Sequence, residues 1–557
     1  MFAKLKQQKI FSTSLLVFTL SVCVLIGTLV STSVAAKESQ AAPDATPLVI
    51  PAAAKVSNEF TELAKRVEPS VVYIRTDYTP KANAAASPRR MPRNAPPPDA
   101  EEGDEDQMDM LRRFFGQGGG GQGGGGGLGG FGGFGSVIRV VGGVSIRPDG
   151  VLQTATDEEQ TQALADLRSR MIGPQGELNI GTDRRLISLK NLKKIVLSSI
   201  EQNKALPEEV LFLGGLTRIE NVFVYPERQD IVLSGPAEPW KIGANGAVVG
   251  SKSGRPVLNL DDLLCAFRTV QDARKTGISV SIEPTKEGVL KLERLLKQAG
   301  PSVSDNPRVL EPAMVAAFGP QQIKLDGLPA DSHMARVILA ADFRMKLYGM
   351  NLAKPPVAGL PSYLEMVTQQ SNQSQLQSRW WMACDYSAIE HSHDRMAWKI
   401  SGRGIKTLTE REQVANDGTF KQSGKTDRLA KKWADLFTNK LDELATKDTV
   451  FGDLRNVMDM CIVAALIESQ ELQSLSHCDL SGFMGQTATV DLVKFQIPTS
   501  IDPQCSFIQT VQGWVVTASG GVMVDSWETV SHLKANDAVA GALNLGTSWM
   551  NADRIWQ

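Results

Sequence analysis

Residues 80–135 limit most strongly what this chain can fold into. The segment changes from a stretch rich in proline and alanine to a run of acids over residues 99–109, and then to an almost uninterrupted glycine tract. Such a composition cannot bury enough apolar surface to offset the conformational entropy that is lost on ordering. We therefore predict a disordered linker over residues 79–136, with any folded body lying on either side of it.

Residues 1–36 have the layout of a secretory signal peptide. Three lysines precede an apolar stretch over residues 10–30, and small residues end the segment at Ala36. We expect cleavage after Ala36, followed by a linker over residues 37–56. An uncleaved membrane anchor is the alternative. Both outcomes predict an exported protein that is periplasmic, attached to the cell surface or secreted.

The charge balance excludes a strongly basic protein. The 557 residues carry a formal net charge of −2, and no run of lysine and arginine is long enough for a nucleic-acid surface. We therefore expect no nucleic-acid partner, and contact with a membrane only through an uncleaved signal segment.

The cysteines indicate neither a zinc ribbon nor thioredoxin chemistry. The chain has six cysteines, of which Cys23 lies in the signal, and no CxxC spacing occurs among the others. If a disulfide forms, Cys478 and Cys505 are the expected pair. Cys265 and Cys461 lie in helical apolar patterns and are interpreted as small buried hydrophobic residues.

Beyond the linker, helical and strand periodicities alternate along the chain. Thr156 and Glu159 have the spacing of a capping box, which predicts the start of a helix. The alternation of Ile278, Val280 and Ile282 predicts a strand. The sequence therefore predicts a mixed α+β fold.

A loop after residue 300 indicates a boundary between two lobes, at residues 137–300 and 301–557. We expect the second lobe to contain a strand at residues 337–341 and a long helix at residues 451–472, buried because it is apolar on nearly every side. Residues 514–524 are predicted as a hairpin that turns at two glycines.

Two short segments resemble a protease. FTELAKRVEPSVVYIRT begins at Phe60, and MLRRFFG begins at Met110 just before the glycine tract. Through these, residues 57–78 and 110–116 resemble the N-terminal segment of HtrA/Deg-type serine proteases, which implies a helix and a strand at residues 57–78.

The protease core itself is not predicted. In the HtrA/Deg family, the elements that follow lead to the catalytic histidine. Here the corresponding position contains Gln153 and Thr154, the first histidine of the chain is His333, and the nucleophile motif GNSGGP is absent. We therefore assign no catalytic residue.

The rest of the chain resembles a second family. The matching motifs include GVSIRPDGVL from Gly143, AFGPQQIKLDGLPADS from Ala317 and ARVILAADFRMK from Ala335. Through them, residues 142–557 are similar to a family of large planctomycete exported proteins that is catalogued as a domain of unknown function. This resemblance implies export and brings no known chemistry.

His391 and His393 are the candidate metal ligands. On a strand, alternate residues face the same side, so both imidazoles could bind one transition metal, with Glu390, Asp394 or Asp385 as a third ligand. A solvated turn before the next strand is the alternative interpretation. No other cofactor is predicted.

Two further groups of residues have competing interpretations. Asp261 and Asp262 are typical of acids that open a helix, and the alternative is a pair of carboxylates for acid/base chemistry. Four tryptophans are interpreted as core residues, and the alternative is an aromatic platform for a glycan or an apolar partner. They are Trp380, Trp381, Trp398 and Trp433.

Together these observations predict an exported, non-catalytic protein that binds a partner protein or a surface polymer. One alternative is a metal-dependent hydrolase that uses His391 and His393. The other is a pseudoprotease partner that docks onto an HtrA-type enzyme through residues 57–78.

Overall fold

The computed structural model describes residues 140–557, apart from several short gaps. These gaps are residues 148, 245, 300–306, 369–376, 415–419, 423, 486–489, 504–505, 511–512, 518–519 and 544–553. The predicted signal, both predicted linkers and the segments predicted to be HtrA-like lie outside the described residues. All described residues belong to one unit, Ala100–Gln557.

The described residues form twelve α-helices and nineteen β-strands, which confirms the mixed α+β class. The helices are α1 (Asp157–Arg170), α2 (Leu189–Glu201), α3 (Glu208–Leu211), α4 (Leu260–Thr276), α5 (Lys286–Ala299), α6 (Pro307–Phe318), α7 (His333–Gly349), α8 (Tyr363–Thr368), α9 (Arg428–Lys447), α10 (Val450–Ser469), α11 (Leu472–Ser476) and α12 (Ser526–Ser531). The strands are β1 (Val144–Ile146), β2 (Val151–Thr154), β3 (Thr182–Ser188), β4 (Asn221–Tyr225), β5 (Asp230–Ala237), β6 (Trp240–Ile242), β7 (Val248–Gly250), β8 (Ile278–Pro284), β9 (Gln321–Asp326), β10 (Gln377–Tyr386), β11 (Ile389–His391), β12 (Ala397–Lys399), β13 (Gly402–Val414), β14 (Phe420–Gln422), β15 (Ser500–Ile501), β16 (Ser506–Thr510), β17 (Gly513–Thr517), β18 (Gly520–Val524) and β19 (Leu533–Ala535).

Two large mixed sheets contain most of these strands. One has nine strands in the order β1-β2-β15-β9-β8-β18-β10-β13-β14, and the other has six in the order β19-β11-β12-β4-β5-β3. Two small antiparallel pairs, β6-β7 and β16-β17, complete the described strands. Several neighbours, such as β2 with β15 and β12 with β4, come from distant parts of the sequence, so much of the pairing is non-local.

The nine-stranded sheet crosses the proposed lobe boundary. Strand β8, which precedes residue 300, pairs antiparallel with β9 and with β18, which both follow it. One hydrophobic core likewise includes Leu263 and Val280 from the first half and Val463 from the second. The two proposed lobes are therefore joined by a common sheet and a common core.

Local signals located several helices correctly. Thr156 and Glu159 form the predicted capping box at the start of α1, with both reciprocal hydrogen bonds present. Helix α10 is buried on nearly every side, as its apolar sequence predicts. Both predictions are confirmed. Each depends only on residues within or next to the helix concerned.

The predicted strand at residues 337–341 is wrong. These residues lie inside α7, where they are all buried. A short run that is apolar throughout does not distinguish a strand from a buried helix. The signal for a helix was Ser332, whose side chain accepts a hydrogen bond from the backbone N–H of Ala335 at 3.1 Å.

The predicted hairpin over residues 514–524 is also wrong. Strand β17 pairs with the preceding strand β16, whereas β18 lies between β8 and β10 in the nine-stranded sheet. Close approach explains the glycine at the start of β18. A Cβ on Gly520 would lie 2.7 Å from the Lys346 side chain and 2.9 Å from the carbonyl oxygen of Trp380.

A buried ion pair connects α7 to this sheet. The ammonium of Lys346 lies 3.1 Å from the carboxylate of Asp342 one turn earlier, and both side chains are almost fully buried. The same ammonium donates a hydrogen bond to the carbonyl oxygen of Ile282 in β8 at 2.8 Å. Removing one member would leave the other charge buried, so the pair fixes where α7 lies on the sheet.

No helix in the described part of the chain is long and apolar enough to cross a membrane.

Candidate functional site

A cavity of about 450 Å³ lies beside the starts of three helices. Most of its wall is aliphatic. Examples of wall residues are Val141, Leu167, Val196, Leu260 and Leu264. Cavities of this size and composition are typical of small-molecule sites, in which a few polar groups orient an otherwise apolar ligand.

The cavity has an open end and a polar end. Arg170, Ala205 and Asp491 line it and are exposed, so they mark the opening. Asp261, His333 and Asp453 line it as well, but these side chains are largely buried. We call these three residues, together with Asp262 behind His333, the floor cluster.

Three long helices place the floor cluster. Helices α4, α7 and α10 contact one another. Asp261 and Asp262 lie in the first turn of α4, His333 is the first residue of α7, and Asp453 lies in the first turn of α10. Helix starts carry partial positive charge, which helps the protein to accommodate three carboxyl groups in one place.

His333 and Asp262 form an ion pair. The Nδ1 atom of His333 lies 3.0 and 2.9 Å from the two carboxylate oxygens of Asp262, and only 15% and 5% of the two side chains are exposed. Burial alone would lower the pKa of His333, but the neighbouring carboxylate raises this pKa to about 9. The imidazole is therefore protonated at neutral pH and donates its Nδ1–H to Asp262.

His333 lines the cavity, and its other nitrogen, Nε2, is not used by Asp262. Within the described residues, Nε2 has no hydrogen-bond partner, and the ring packs against Phe495 with 5.5 Å between the ring centres. A protonated His333 therefore presents a charged N–H donor at the polar end of the cavity.

Two carboxyl groups are strongly affected by burial. Burial and the neighbouring Asp262 raise the pKa of Asp261 to about 6. One oxygen of Asp261 accepts a hydrogen bond from the backbone N–H of Val493 at 3.2 Å. Burial raises the pKa of Asp453 to about 7, and its carboxyl group has no hydrogen-bond partner within the described residues. Asp453 is thus an unsatisfied polar group that faces the cavity.

The floor cluster changes the interpretation of Asp261 and Asp262. Both open α4, as predicted, since they occupy its first turn. They also meet His333, which lies 71 residues after Asp262, and Asp453, which lies still further along the chain. The sequence analysis missed His333 and Asp453 because neither belongs to a local motif. The one available signal was an acidic or titratable residue at the start of each of three apolar helices.

The two histidines of the predicted metal site do not share a strand. His391 ends β11, whereas His393 lies in the following turn and is exposed. The Nδ1 atom of His391 lies 2.9 Å from the carbonyl oxygen of Ser392, and the ring packs on Trp398.

The nearby carboxylates form local hydrogen bonds. Asp394 accepts from the hydroxyl of Ser392 at 2.5 Å and from the backbone N–H of Met396 at 3.1 Å. Glu390 accepts from the side chain of Asn536 at 3.0 Å. Within the part of the chain that the structure describes, no group of three or more His, Cys, Asp or Glu side chains could hold a metal ion.

The tryptophans lie mainly in the core. Trp380, Trp398 and Trp433 are buried, and the rings of Trp380 and Trp433 meet edge to face at 5.1 Å. This arrangement agrees with the core interpretation for these three residues.

The four described cysteines are free thiols. Cys265 and Cys461 are buried, as expected for small apolar residues. Burial raises the pKa of Cys265 to about 12, so this thiol stays neutral. Of the expected disulfide pair, Cys478 is free, and Cys505 lies outside the described residues.

Comparison with known proteins identifies one region. Residues 280–363 match the family model described as a protein of unknown function, DUF1598. No curated protein and no solved structure matches the chain significantly. The matched region contains most of β8 and all of β9 and α7, and therefore one member of the floor cluster, His333. Residues 280–363 thus contain a domain of unknown function.

Proposed function

We propose that this protein is an exported binding protein that holds a small, largely apolar molecule in the cavity. The observation that carries the proposal is the cavity itself, about 450 Å³ with aliphatic walls and polar groups gathered at one end. Binding of an apolar ligand in such a site is favourable because apolar surface is removed from water. On this proposal the protein sequesters or delivers the molecule that it binds.

Export is the second part of the proposal. It is supported by the lysines, apolar stretch and small residues of residues 1–36, and by the similarity of residues 142–557 to planctomycete exported proteins. An exported binding protein would meet apolar molecules at the cell envelope, where such molecules are poorly soluble and need a carrier. The segment at residues 57–78, which resembles HtrA-type proteases, would then serve to contact a partner.

Ligand length provides a quantitative expectation. Each methylene group that moves from water into the cavity contributes about 0.8 kcal/mol. Two further methylenes therefore tighten binding by about tenfold, until the cavity is full. A protein that binds apolar molecules only at its surface would show no such limit.

The test is binding of a fluorescent apolar probe, such as N-phenylnaphthylamine, to the purified chain. Ala205 lies at the opening of the cavity and is exposed, so Ala205→Trp should obstruct entry without disturbing the core. We expect this variant to lose about 1.4 kcal/mol or more of the binding free energy, which lowers the affinity for the probe at least about tenfold.

The matched control is Ala165→Trp. Ala165 is also exposed, but it lies on α1 and does not line the cavity, so this variant should bind the probe like the wild type. Absence of probe binding to the wild type, or equal binding by both tryptophan variants, would contradict the proposal.

A further inference from the structure

The floor cluster indicates what the polar end of the ligand is. We infer that the cavity binds an apolar alcohol, whose hydroxyl group lies between the Nε2–H of His333 and the carboxyl group of Asp453. The inference rests on the proposed binding function and specifies its ligand class. Both polar groups line the cavity, and within the described residues neither has a hydrogen-bond partner there.

The charges at the polar end disfavour a charged head group. A charged head group would lose its hydration in a cavity with little water, and this loss is costly unless an unpaired opposite charge meets the head group. Below about pH 6, Asp261 and Asp453 are mainly neutral, because their pKa values are raised to about 6 and about 7, so they offer no counter-charge to an ammonium. The pair formed by His333 and Asp262 is already neutral overall, and this also favours a neutral ligand.

A hydroxyl group matches the two free positions. It accepts one hydrogen bond, from Nε2–H of His333, and donates one, to Asp453. The hydroxyl can donate to Asp453 whether that carboxyl is ionised or protonated, because a carboxyl oxygen accepts in both forms. A ketone could only accept, and it would leave Asp453 unsatisfied whenever this group is ionised.

The charges at the opening of the cavity do not exclude a neutral alcohol. Arg170 and Asp491 line the exposed end with opposite charges. Most of the remaining wall is aliphatic, so it suits the hydrocarbon part of the ligand.

The test compares ligands with one hydrocarbon chain and different head groups at about pH 5.5, where His333 is protonated and Asp261 and Asp453 are mainly neutral. Decanol, decane, decanoate and decylamine compete with the fluorescent probe for the purified chain. Decanol should bind about tenfold or more tightly than each of the others, since hydrogen bonds to charged groups exceed neutral ones in strength.

Variants of Asp453 separate recognition from folding. Asp453→Leu removes the acceptor, so the affinity for decanol should fall about tenfold while the affinity for decane is unchanged. Asp453→Asn retains an acceptor and should keep most of the preference for decanol. Asp183→Asn, at an exposed position that does not line the cavity, is the matched control and should change neither affinity.

The outcomes distinguish the two proposals. If the probe binds and decane displaces it, but decanol has no advantage or decylamine or decanoate binds best, the alcohol inference is wrong and the binding cavity stands. If Asp453→Leu weakens decanol and decane equally, Asp453 has no part in head-group recognition and the inference fails. If the probe does not bind at all, both proposals fail.

Discussion

Two histidine-containing regions of this protein contrast in where their residues come from and in whether their polar atoms have partners. The floor cluster brings together residues from three helices and leaves polar atoms free toward a cavity. The turn with His391 and His393 has a recognisable H-x-H motif, yet its polar groups form hydrogen bonds with their own neighbours. A local motif is therefore weaker evidence for a site than unsatisfied polar atoms at a cavity.

The two regions differ because burying a polar group costs free energy, whereas leaving it in a solvated turn does not. A polar group in a solvated turn stays hydrated, so it loses little free energy when it has no protein partner. Histidines and acids can therefore occur there without a function. A carboxyl group at the floor of an apolar cavity loses its hydration, and this loss appears as the raised pKa of Asp453. A costly group that has no partner is better evidence for a ligand than an inexpensive group that has several.

The largest effect is expected from Asp262→Asn, which removes the counterion of His333. Breaking a buried ion pair by removing one partner costs about 3 kcal/mol of the free energy of unfolding. The pKa of His333 should also fall from about 9, because the largest raising contribution is lost while burial, which lowers the pKa, and the weaker attraction of Asp453 and Asp261 remain. Urea denaturation measures the first change, and an NMR titration of the histidine ring measures the second.

Glu390→Gln provides the matched control for this variant. Glu390 lies beside His391 and hydrogen-bonds to Asn536, and its substitution should change the stability by no more than about 0.5 kcal/mol. Equal losses for the two variants would remove the contrast between the floor cluster and the turn.

A second, smaller effect is expected in the pH dependence of stability. The pKa of His333 is about 9 in the folded protein, against an ordinary value of 6.5, so the folded state binds more protons over this window. Stability therefore falls as the pH rises, and the contribution of His333 is lost as the pH passes through about 9. We expect a loss of about 2 kcal/mol between pH 7 and pH 9.

The neighbouring carboxyl groups titrate below this window. The raised pKa values of Asp261, about 6, and of Asp453, about 7, also make stability fall with rising pH, but mainly below pH 7. His333→Gln should therefore flatten the decline between pH 7 and pH 9, whereas His393→Gln should leave it unchanged. A decline that persists in His333→Gln would assign it to another group.

The same contrast explains how much could be predicted from the sequence. The α+β class, the capping box at Thr156 and the buried helix α10 depend on local patterns and were predicted correctly. The position of β18 between β8 and β10 depends on partners more than a hundred residues away, and no local pattern specifies it. The glycines at its start were interpreted as a turn because sequence alone does not show that Lys346 approaches there.

The candidate site was predictable only in part. Asp261 and Asp262 were recognised as acids that open a helix, which is correct, but their second role requires the starts of α7 and α10 to meet them. His333 was noticed only as the first histidine of the chain. Helix packing, rather than any spacing of residues, creates the floor cluster.

The smallest effect is expected from changing both histidines of the turn. His391→Gln combined with His393→Gln should alter the free energy of unfolding by about 0.5 kcal/mol, since His393 is exposed and His391 contacts mainly Trp398 and the carbonyl oxygen of Ser392. Elemental analysis should find the same metal content in this variant, in the wild type and in His477→Gln, which changes an exposed histidine elsewhere. Stoichiometric zinc, iron or manganese that disappears only from the double variant would make the turn a metal centre. The metal-dependent hydrolase would then replace the binding protein as the better hypothesis, and the rule that satisfied local hydrogen bonds indicate a structural turn would fail for this chain.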